Sequence, residues 1–487
     1  MSQIMRRAGL LALFALALAA AGCAVNPATG KKEFTLVTSA QEAAMGREGY
    51  AAAAAEYGVY EDAALAAYVD TVGRKVARAS ELPDLPWRFT VIDDAAVNAF
   101  AMPGGYIFVT RGLLAYMQSE AQLAGVLGHE IGHVTARHSA KQITQQQLAA
   151  VGLGLASAVS PAFRRYGSTA EQALGLMMLK YSRDDESQAD ELGVRYSSIA
   201  GYDPREMPAT YRTLQRIAAQ SGQSLPSYLS THPDPGQRAE RTTALAAKAA
   251  EGRVNMNVRQ RGYLEHMRGL VYGENPRYGW FEGDHFYHPV LGLEMTFPSG
   301  WQKSHTHSAL TGVAPGQAGM VQLTLARDAA GKTPGDYVVG LTTEGRIASS
   351  RGAQEMFGIW PAWVGSLTVP SAQGGQASLV AAFVRITPDV LLQILGRGSA
   401  PGDANERKAL LAIRSITMLT DPARGMVQPS RMRLQTVTTA GSFRGAYAGM
   451  GMNLIPVEEA AIVNGLDADE PVMKGQWLKV VDRVKRP

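Results

Sequence analysis

Apolar residues recur every three to four positions in some stretches and every second position in others. These two periods divide the chain into expected helices and strands. Between Glu61 and Leu82, the residues Ala64, Leu65, Tyr68, Val69, Val72 and Val76 share one helical face, and Pro83 and Pro86 stop the pattern. Trp87 to Ile92 alternates as a strand, and Tyr106 to Val109, after Gly104-Gly105, makes a second. From Glu120 to about His138, Leu123, Val126, Leu127, Ile131 and Val134 form an apolar stripe, with Ser119 and Gln122 as a capping-box start. The Ala/Gly/Leu-rich run from Leu148 to Val159, broken at Pro161, is too short to cross a bilayer and predicts a helical hairpin over its neighbours. A second long helix is expected over Gln172 to Ile199, and an alanine-rich one up to Ala250.

After Leu291 short alternating stretches dominate, with a helix expected at Glu406–Ile416 and no chemical motif. In residues 431–482 the run Leu434–Val437, the piece Asn464-Gly465-Leu466 and the run Gly475–Val481 predict strand–helix–helix–strand order. That unit resembles a LysM module, which implies peptidoglycan as a partner. It departs from the module at its opening, where Ala440-Gly441-Ser442 stands in place of a Gly-Asp-Thr turn.

Composition narrows the function. A net charge of +4 on 487 residues, with both signs interspersed, leaves no basic stripe and excludes a nucleic-acid partner. Cys23 is the single cysteine, so a metal site must use histidine and carboxylate. Arg6-Arg7, the apolar run Ala8–Ala21 and Gly22-Cys23 read as a signal peptide. Ala20-Ala21-Gly22-Cys23 resembles the bacterial lipobox, with alanine at the position three before the cysteine where leucine is common. The resemblance implies lipidation of Cys23. With Ala24 following rather than aspartate, it also implies the periplasmic face of the outer membrane.

The chemistry sits in Gly128-His129-Glu130-Ile131-Gly132-His133, which reads H-E-x-x-H. Helical positions four apart are offset by only about 40°, so both imidazoles face one way and can grip one metal ion. Glu130 lies to the same side, where it can take a proton from water and return it to a leaving amine. A hydrolytic zinc site wants a third protein ligand. His138, nine residues beyond His129 on the same helix, points about 180° away from it, and the sixth residue after His133 is Ser139. Glu186 and Asp190 repeat the spacing of four. One carboxylate can ligate while the other accepts the free N–H of a ligand histidine, and Ala189 leaves room for two helices to approach closely. The plainer alternative for Arg183–Glu191 is a solvated charged helix face.

Together with Asn26-Pro27-Ala28-Thr29-Gly30, Asn98 to Gly105 and Ser230-Thr231-His232-Pro233, these motifs resemble the HtpX/CAAX-prenyl-protease family of zinc metallopeptidases. The nearest branch is the soluble periplasmic one that includes the β-barrel assembly-enhancing protease. The resemblance implies His129, His133 and Glu186 as ligands of one Zn2+ per chain, Glu130 as general base and acid, and Asp190 as the group behind a ligand. It implies Gly105, Tyr106, Ile107 and Phe108 as an edge strand along which extended substrate pairs. His232 either orders the Thr231–Pro235 turn or swings in as a fourth ligand that holds the enzyme latent. Arg238 steadies either that loop or an oxyanion.

The expected layout is a leader (1–22), a tether (23–45) and a mostly α, gluzincin-like zincin domain with a small sheet (46–250). A connector (251–290), an α+β domain (291–425) and a LysM-like βααβ module (431–482) follow. The expected function is a lipid-anchored periplasmic zinc endopeptidase for misfolded or misassembled envelope proteins, with outer-membrane assembly machinery as a further partner. The reading from another class is a latent peptidase acting as a chaperone-like or cell-wall-binding scaffold lipoprotein.

Overall fold

A computed structural model describes residues 23–152, 175, 180–220, 228, 231–232, 235–326, 331–370, 375–452 and 454–482. The leader, the Leu148–Val159 hairpin beyond Gly152 and the start of the helix expected from Gln172 lie outside the described residues. Two compact units emerge. One joins the chain up to Gly273 with the segment from Ser430, and the other is Glu274–Pro429. The cut at Gly273 falls inside the stretch expected to be a connector, and the residues expected to form a separate LysM-like module belong to the first unit.

The first unit begins with a hairpin of β1 (Cys23–Val25) and β2 (Lys32–Phe34). Helix α1 (Ser39–Tyr57) follows, opened by a Thr38/Gln41 capping box. This helix was not among the sequence expectations, because its alanine run gives no apolar stripe to detect. Helix α2 (Ala63–Ala77), capped by Asp62, leads to a three-stranded sheet of β3 (Arg88–Ile92), β4 (Ala99–Met102) and β5 (Tyr106–Thr110), in the order β3-β5-β4. Strand alternation sends Phe100, Met102 and Phe108 to a cluster with Ala53 of α1. It sends Phe89, Val91, Ala99, Ala101, Ile107 and Val109 to the main core.

After α3 (Arg111–Tyr116), helix α4 (Glu120–Thr135) carries the H-E-x-x-H motif and is buried along nearly its whole length. Ser119 caps it by accepting from the Gln122 N–H, as its capping signal predicts. The unit continues with α5 (His138–Gly152), α6 (Arg183–Ile199), α7 (Met207–Gln220), α8 (Pro235–Ala250) and α9 (Gln260–His266).

Apart from the paired two-residue strands Gly441–Ser442 and Pro471–Val472, the C-terminal segment runs strand–helix–helix–strand. Strand β6 (Met432–Thr436) pairs antiparallel with β7 (Trp477–Val481), around α10 (Phe443–Ala448) and α11 (Val457–Val463). Its apolar residues Met432, Phe443, Tyr447, Val463, Leu478 and Val480 lie in the same cluster as those of α4. Lys479, 1% exposed, donates from Nζ to the carbonyls of Ala115 and Met117, each at 2.8 Å. Among the described residues no helix is long and apolar enough to cross a membrane.

The second unit is built on a seven-stranded antiparallel sheet. In spatial order its strands are 349–357, 360–370, 376–385, 391–398, 319–325, 309–313 and 302–305. Alternate residues face opposite sides. Ala382, Val384, Leu392 and Ile394 join Ile413 of the helix Ala404–Arg414, while Ala381, Phe383 and Leu391 join Tyr337 and Val338 of the helix Pro334–Thr343.

Candidate active site

Two helices make the site because their facing sides are almost bare backbone. A Cβ on Gly128 would lie 3.0 Å from the Gly193 carbonyl oxygen, and one on Gly132 would lie 3.2 Å from Ala189 Cα. One on Gly193 would lie 2.9 Å from the His129 nitrogen. This seam of Gly128/Gly132 against Ala189/Gly193 brings α4 and α6 close enough for short side chains to meet. The outward residues Asp184, Glu191 and Arg195 of α6 are exposed, so the charged-face reading describes one side of the helix. The other side buries Asp185, Glu186 and Asp190.

His129, His133, Glu186 and His232 present ligand atoms that all lie within 4.8 Å of one another, and all four residues are buried. The His129 and His133 Nε2 atoms are 3.0 Å apart. Glu186 stands 3.5 Å from each of those nitrogens, and His232 Nδ1 is 2.8 Å from Glu186 Oε1. Each helical histidine has a partner at its rear nitrogen. His129 Nδ1 is 3.0 Å from Asp190 Oδ1. His133 Nδ1 is 2.9 Å from His138 Nδ1, whose Nε2 is 3.0 Å from Gln188 Oε1.

These contacts assign the protons. Asp190 fixes the His129 N–H on Nδ1. The Gln188 carbonyl fixes the His138 N–H on Nε2, so His138 Nδ1 accepts from His133 Nδ1–H. Both Nε2 atoms therefore direct lone pairs at each other across 3.0 Å. Such a contact is repulsive without a shared cation; Arg238 Nη2 lies 3.2 Å from His129 Nε2 but serves only that lone pair, whereas a divalent metal ion suits the whole donor set.

The electrostatics agree. Burial, aided by the positive Arg238, pushes His129 down to about 4 against the pull of Asp190. Burial and the neighbouring histidines push His133 well below its usual range. Both imidazoles are thus neutral ligands at neutral pH. Burial pushes the Glu186 carboxyl up, but His232 and Arg238 outweigh it and hold the group at about 2, ionised.

Glu130 is fully buried, and neither of its carboxylate oxygens has a hydrogen-bond partner among the described residues. Burial pushes its carboxyl up to about 7, against the pull of His232, whose Nε2 is 3.9 Å away. A buried carboxylate with no hydrogen bond is costly to fold around, which marks it as a group kept for chemistry.

Arg238, 2% exposed, contacts Glu186 Oε2 at 2.8 Å and Asp190 Oδ1 at 2.7 Å, and donates to the Tyr211 hydroxyl at 2.7 Å. These contacts set Arg238 against the Glu186 and Asp190 carboxylates, a role separate from the two expected for it, steadying the loop or an oxyanion. Tyr181 stacks on His133 with centroids 4.0 Å apart, and Tyr228 stacks on His232 at 4.4 Å.

Two expectations need correction, and three site residues went unforeseen. Residues 105–108 are not an edge. Strand β5 pairs parallel with β3 (Arg88↔Tyr106) and antiparallel with β4 (Met102↔Tyr106), so both of its sides are taken. Gly105, Tyr106, Ile107 and Phe108 hold the middle of the sheet, and β4 stands at its end beside α4. The edge was what the resemblance implied; β4, which the sequence pattern does not announce, covers it. His138, set aside on the assumption of one helix through residue 138, lies after a corner. Helix α4 ends at Thr135, and Arg137 takes a φ of 55°. Tyr181, Tyr211 and Tyr228 carried no motif that would have singled them out.

A buried two-histidine, one-carboxylate cluster with a free glutamate, on two packed helices beside a small sheet, defines a metalloprotease domain. Residues 63–246 match the family model described as Peptidase family M48. The mitochondrial metalloendopeptidase OMA1 of Arabidopsis thaliana is 38% identical over 165 residues, covering 34% of this chain and 32% of that protein. OMA1 of Schizosaccharomyces pombe is 32% identical over 224 residues, covering 44% and 63%. The beta-barrel assembly-enhancing protease of Escherichia coli (strain K12) is 31% identical over 187 residues, covering 36% and 38%. The chain thus spans less than two thirds of the length of each of these relatives.

Proposed function

We propose that the protein is a zinc-dependent endopeptidase of the bacterial envelope, anchored through Cys23 at the periplasmic face of the outer membrane, that cleaves misfolded or misassembled proteins. The observation that carries the peptidase reading is the convergence of His129, His133 and Glu186 beside the Glu130 carboxylate, which makes no hydrogen bond among the described residues. Two imidazoles and one carboxylate suit zinc among the available divalent ions. The envelope setting draws on the lipobox-like Cys23 and on the likeness to beta-barrel assembly-enhancing proteases.

His129, His133 and Glu186 would hold the ion, which when bound polarises the scissile carbonyl and acidifies water. Asp190 and His138 keep the two imidazole lone pairs turned inward. Glu130 accepts a proton from the attacking water and returns it to the leaving nitrogen, a task suited to a group poised near neutral pH. Strand β4, at the sheet end beside α4, is the side along which an extended substrate would add. Main-chain pairing of that kind asks little of side chains and suits unfolded clients.

His232 gives the latent reading a specific basis. It sits within the ligand cluster, where its Nδ1 contacts Glu186 and lies 3.5 Å from His129 Nε2. On this reading the His232 ring stands where the attacking water would sit, and its withdrawal would open the site.

The deciding experiment measures metal content and casein cleavage of the purified chain beside its Glu130→Gln variant. Stoichiometric zinc in both is expected, with kcat of the variant down about a hundred- to ten-thousand-fold. A variant that cleaves at the wild-type rate would remove Glu130 from its role.

A further inference from the structure

The turn Asn26–Gly30 and the residues after it take no part in the chemistry above, yet they hold the corner at which the catalytic helix ends. Helix α4 stops at Thr135, and α5 begins at His138. Between them Arg137 has a φ of 55°, a backbone conformation that a residue with a Cβ keeps only when its surroundings enforce it. Every enforcing contact named here comes from the N-terminal segment.

The Asn26 side chain donates from Nδ2 to the Ala136 carbonyl at 3.0 Å, and the Ala28 N–H donates to the Thr135 carbonyl at 3.3 Å. Both carbonyls are helix-end acceptors that α4 itself cannot satisfy. The Arg137 guanidinium donates to Glu42 Oε2 at 2.6 and 2.9 Å and to the Val37 carbonyl at 2.9 Å. About two turns further on, the Leu36 N–H donates to Thr144 Oγ1 at 3.1 Å. Val37 and Met45 bury against Ala140 and Ile143 in a cluster separate from the main core.

What this corner delivers is His138, the partner of a metal ligand. Because α5 starts anew there, the His138 ring turns back and meets His133 Nδ1 at 2.9 Å instead of pointing away. Had α4 continued, His138 would have lain on its far side.

We propose that residues 26–42 are a positioning strap for His133. They hold the left-handed Arg137 corner, the corner aims His138, and His138 fixes the His133 proton on Nδ1 so that Nε2 faces the metal. The inference rests on the metal-site reading and adds to it a set of positioning residues, Asn26, Glu42, Arg137 and His138. None of these touches the ion or the substrate.

The test uses the full chain and reads zinc affinity by competition with a chromogenic chelator, alongside the thermal midpoint of the metal-free chain. Glu42→Gln and Asn26→Ala are each expected to weaken zinc binding by about tenfold, and His138→Ala by at least as much. His138→Gln, whose side-chain carbonyl can still accept from His133, is expected to restore most of the loss. The double variant Glu42→Gln/His138→Ala is expected to bind zinc no more weakly than His138→Ala alone, since the strap acts through that one side chain. Two results would each overturn the strap: losses in the double variant that multiply, or strap variants that lower the metal-free midpoint while zinc affinity stays within about twofold of wild type. A wild-type chain that binds no zinc would instead overturn the site reading, and the strap's role with it.

Discussion

Asp190 shows how much of the site is decided by a single proton. Its carboxylate sits 3.0 Å from His129 Nδ1 and is itself gripped by Arg238, Arg241 and the Tyr211 hydroxyl. Burial pushes it up, yet Arg238 and His129 outweigh that and hold it far below the usual carboxylate range, so it stays an acceptor. Asp190→Asn leaves volume and burial unchanged but can present an amide N–H to His129, which favours the wrong tautomer. Zinc affinity is expected to fall about 10–100-fold, measured by chelator competition, with the metal-free chain still folded. Wild-type affinity in that variant would mean that the His129 tautomer is set elsewhere. At His232 the expected change runs the other way. If it occupies the water position in about nine molecules in ten, His232→Ala raises the initial rate of casein cleavage by about tenfold. An unchanged or lower rate in a normally folded variant would leave His232 as an organiser of its turn.

Between elements, the α4–α6 seam does what no single motif could. The ligand pairs are legible in the sequence because each obeys helical spacing within a few residues, and Ala189 even announces a close approach. Less legible is that Gly193 completes the seam, since a glycine inside a charged helix reads as a weak point rather than a contact. Gly193→Ala would set a methyl 2.9 Å from the His129 backbone nitrogen; the Met207 Cε at 3.2 Å can yield, but the backbone cannot. The helices must part by a few tenths of an ångström. Stability is expected to drop by about 1–3 kcal/mol in urea unfolding, with zinc binding weakened in parallel. A variant with wild-type stability and affinity would show that the seam has slack. The same limit explains the other misreadings. His138 was misplaced because a left-handed arginine leaves no trace in a helical pattern. The β5 edge that the resemblance implies is closed by β4, whose small, buried residues Ala99 and Ala101 give a strand little sequence signal.

At the scale of the first unit, both ends of the catalytic helix are braced by segments distant in sequence. Residues 26–42 hold its C-terminal corner, and the strand–helix–helix–strand segment holds the approach to its N-cap. Gln118, next to the capping Ser119, donates from Nε2 to the Val463 carbonyl at 2.9 Å. The Asn464-Gly465 piece read as LysM-like serves this packing: Asn464 Oδ1 accepts from the Lys479 N–H at 2.7 Å, and a Cβ on Gly465 would lie 2.9 Å from Gln118 Cγ. A peptidoglycan pull-down is therefore best done with the full chain, since the tail does not own its core. Lys479 offers a direct measure of the brace. Burial pushes its ammonium well below the ordinary 10.5, a value the unfolded chain retains. Between the lowered folded value and 10.5 the unfolded chain binds more protons, so stability rises with pH through that window and levels off above it. Lys479→Met removes the titrating group while keeping an apolar stem beside Ala115 and Met117. Urea midpoints at neutral pH and in mildly alkaline buffer, followed through the signal of the first unit, are expected to climb in the wild type. In the variant they should climb distinctly less. Parallel slopes in the two proteins would mean that Lys479 keeps its charge in the folded chain, and that the C-terminal brace is hydrated rather than part of a dry, shared core.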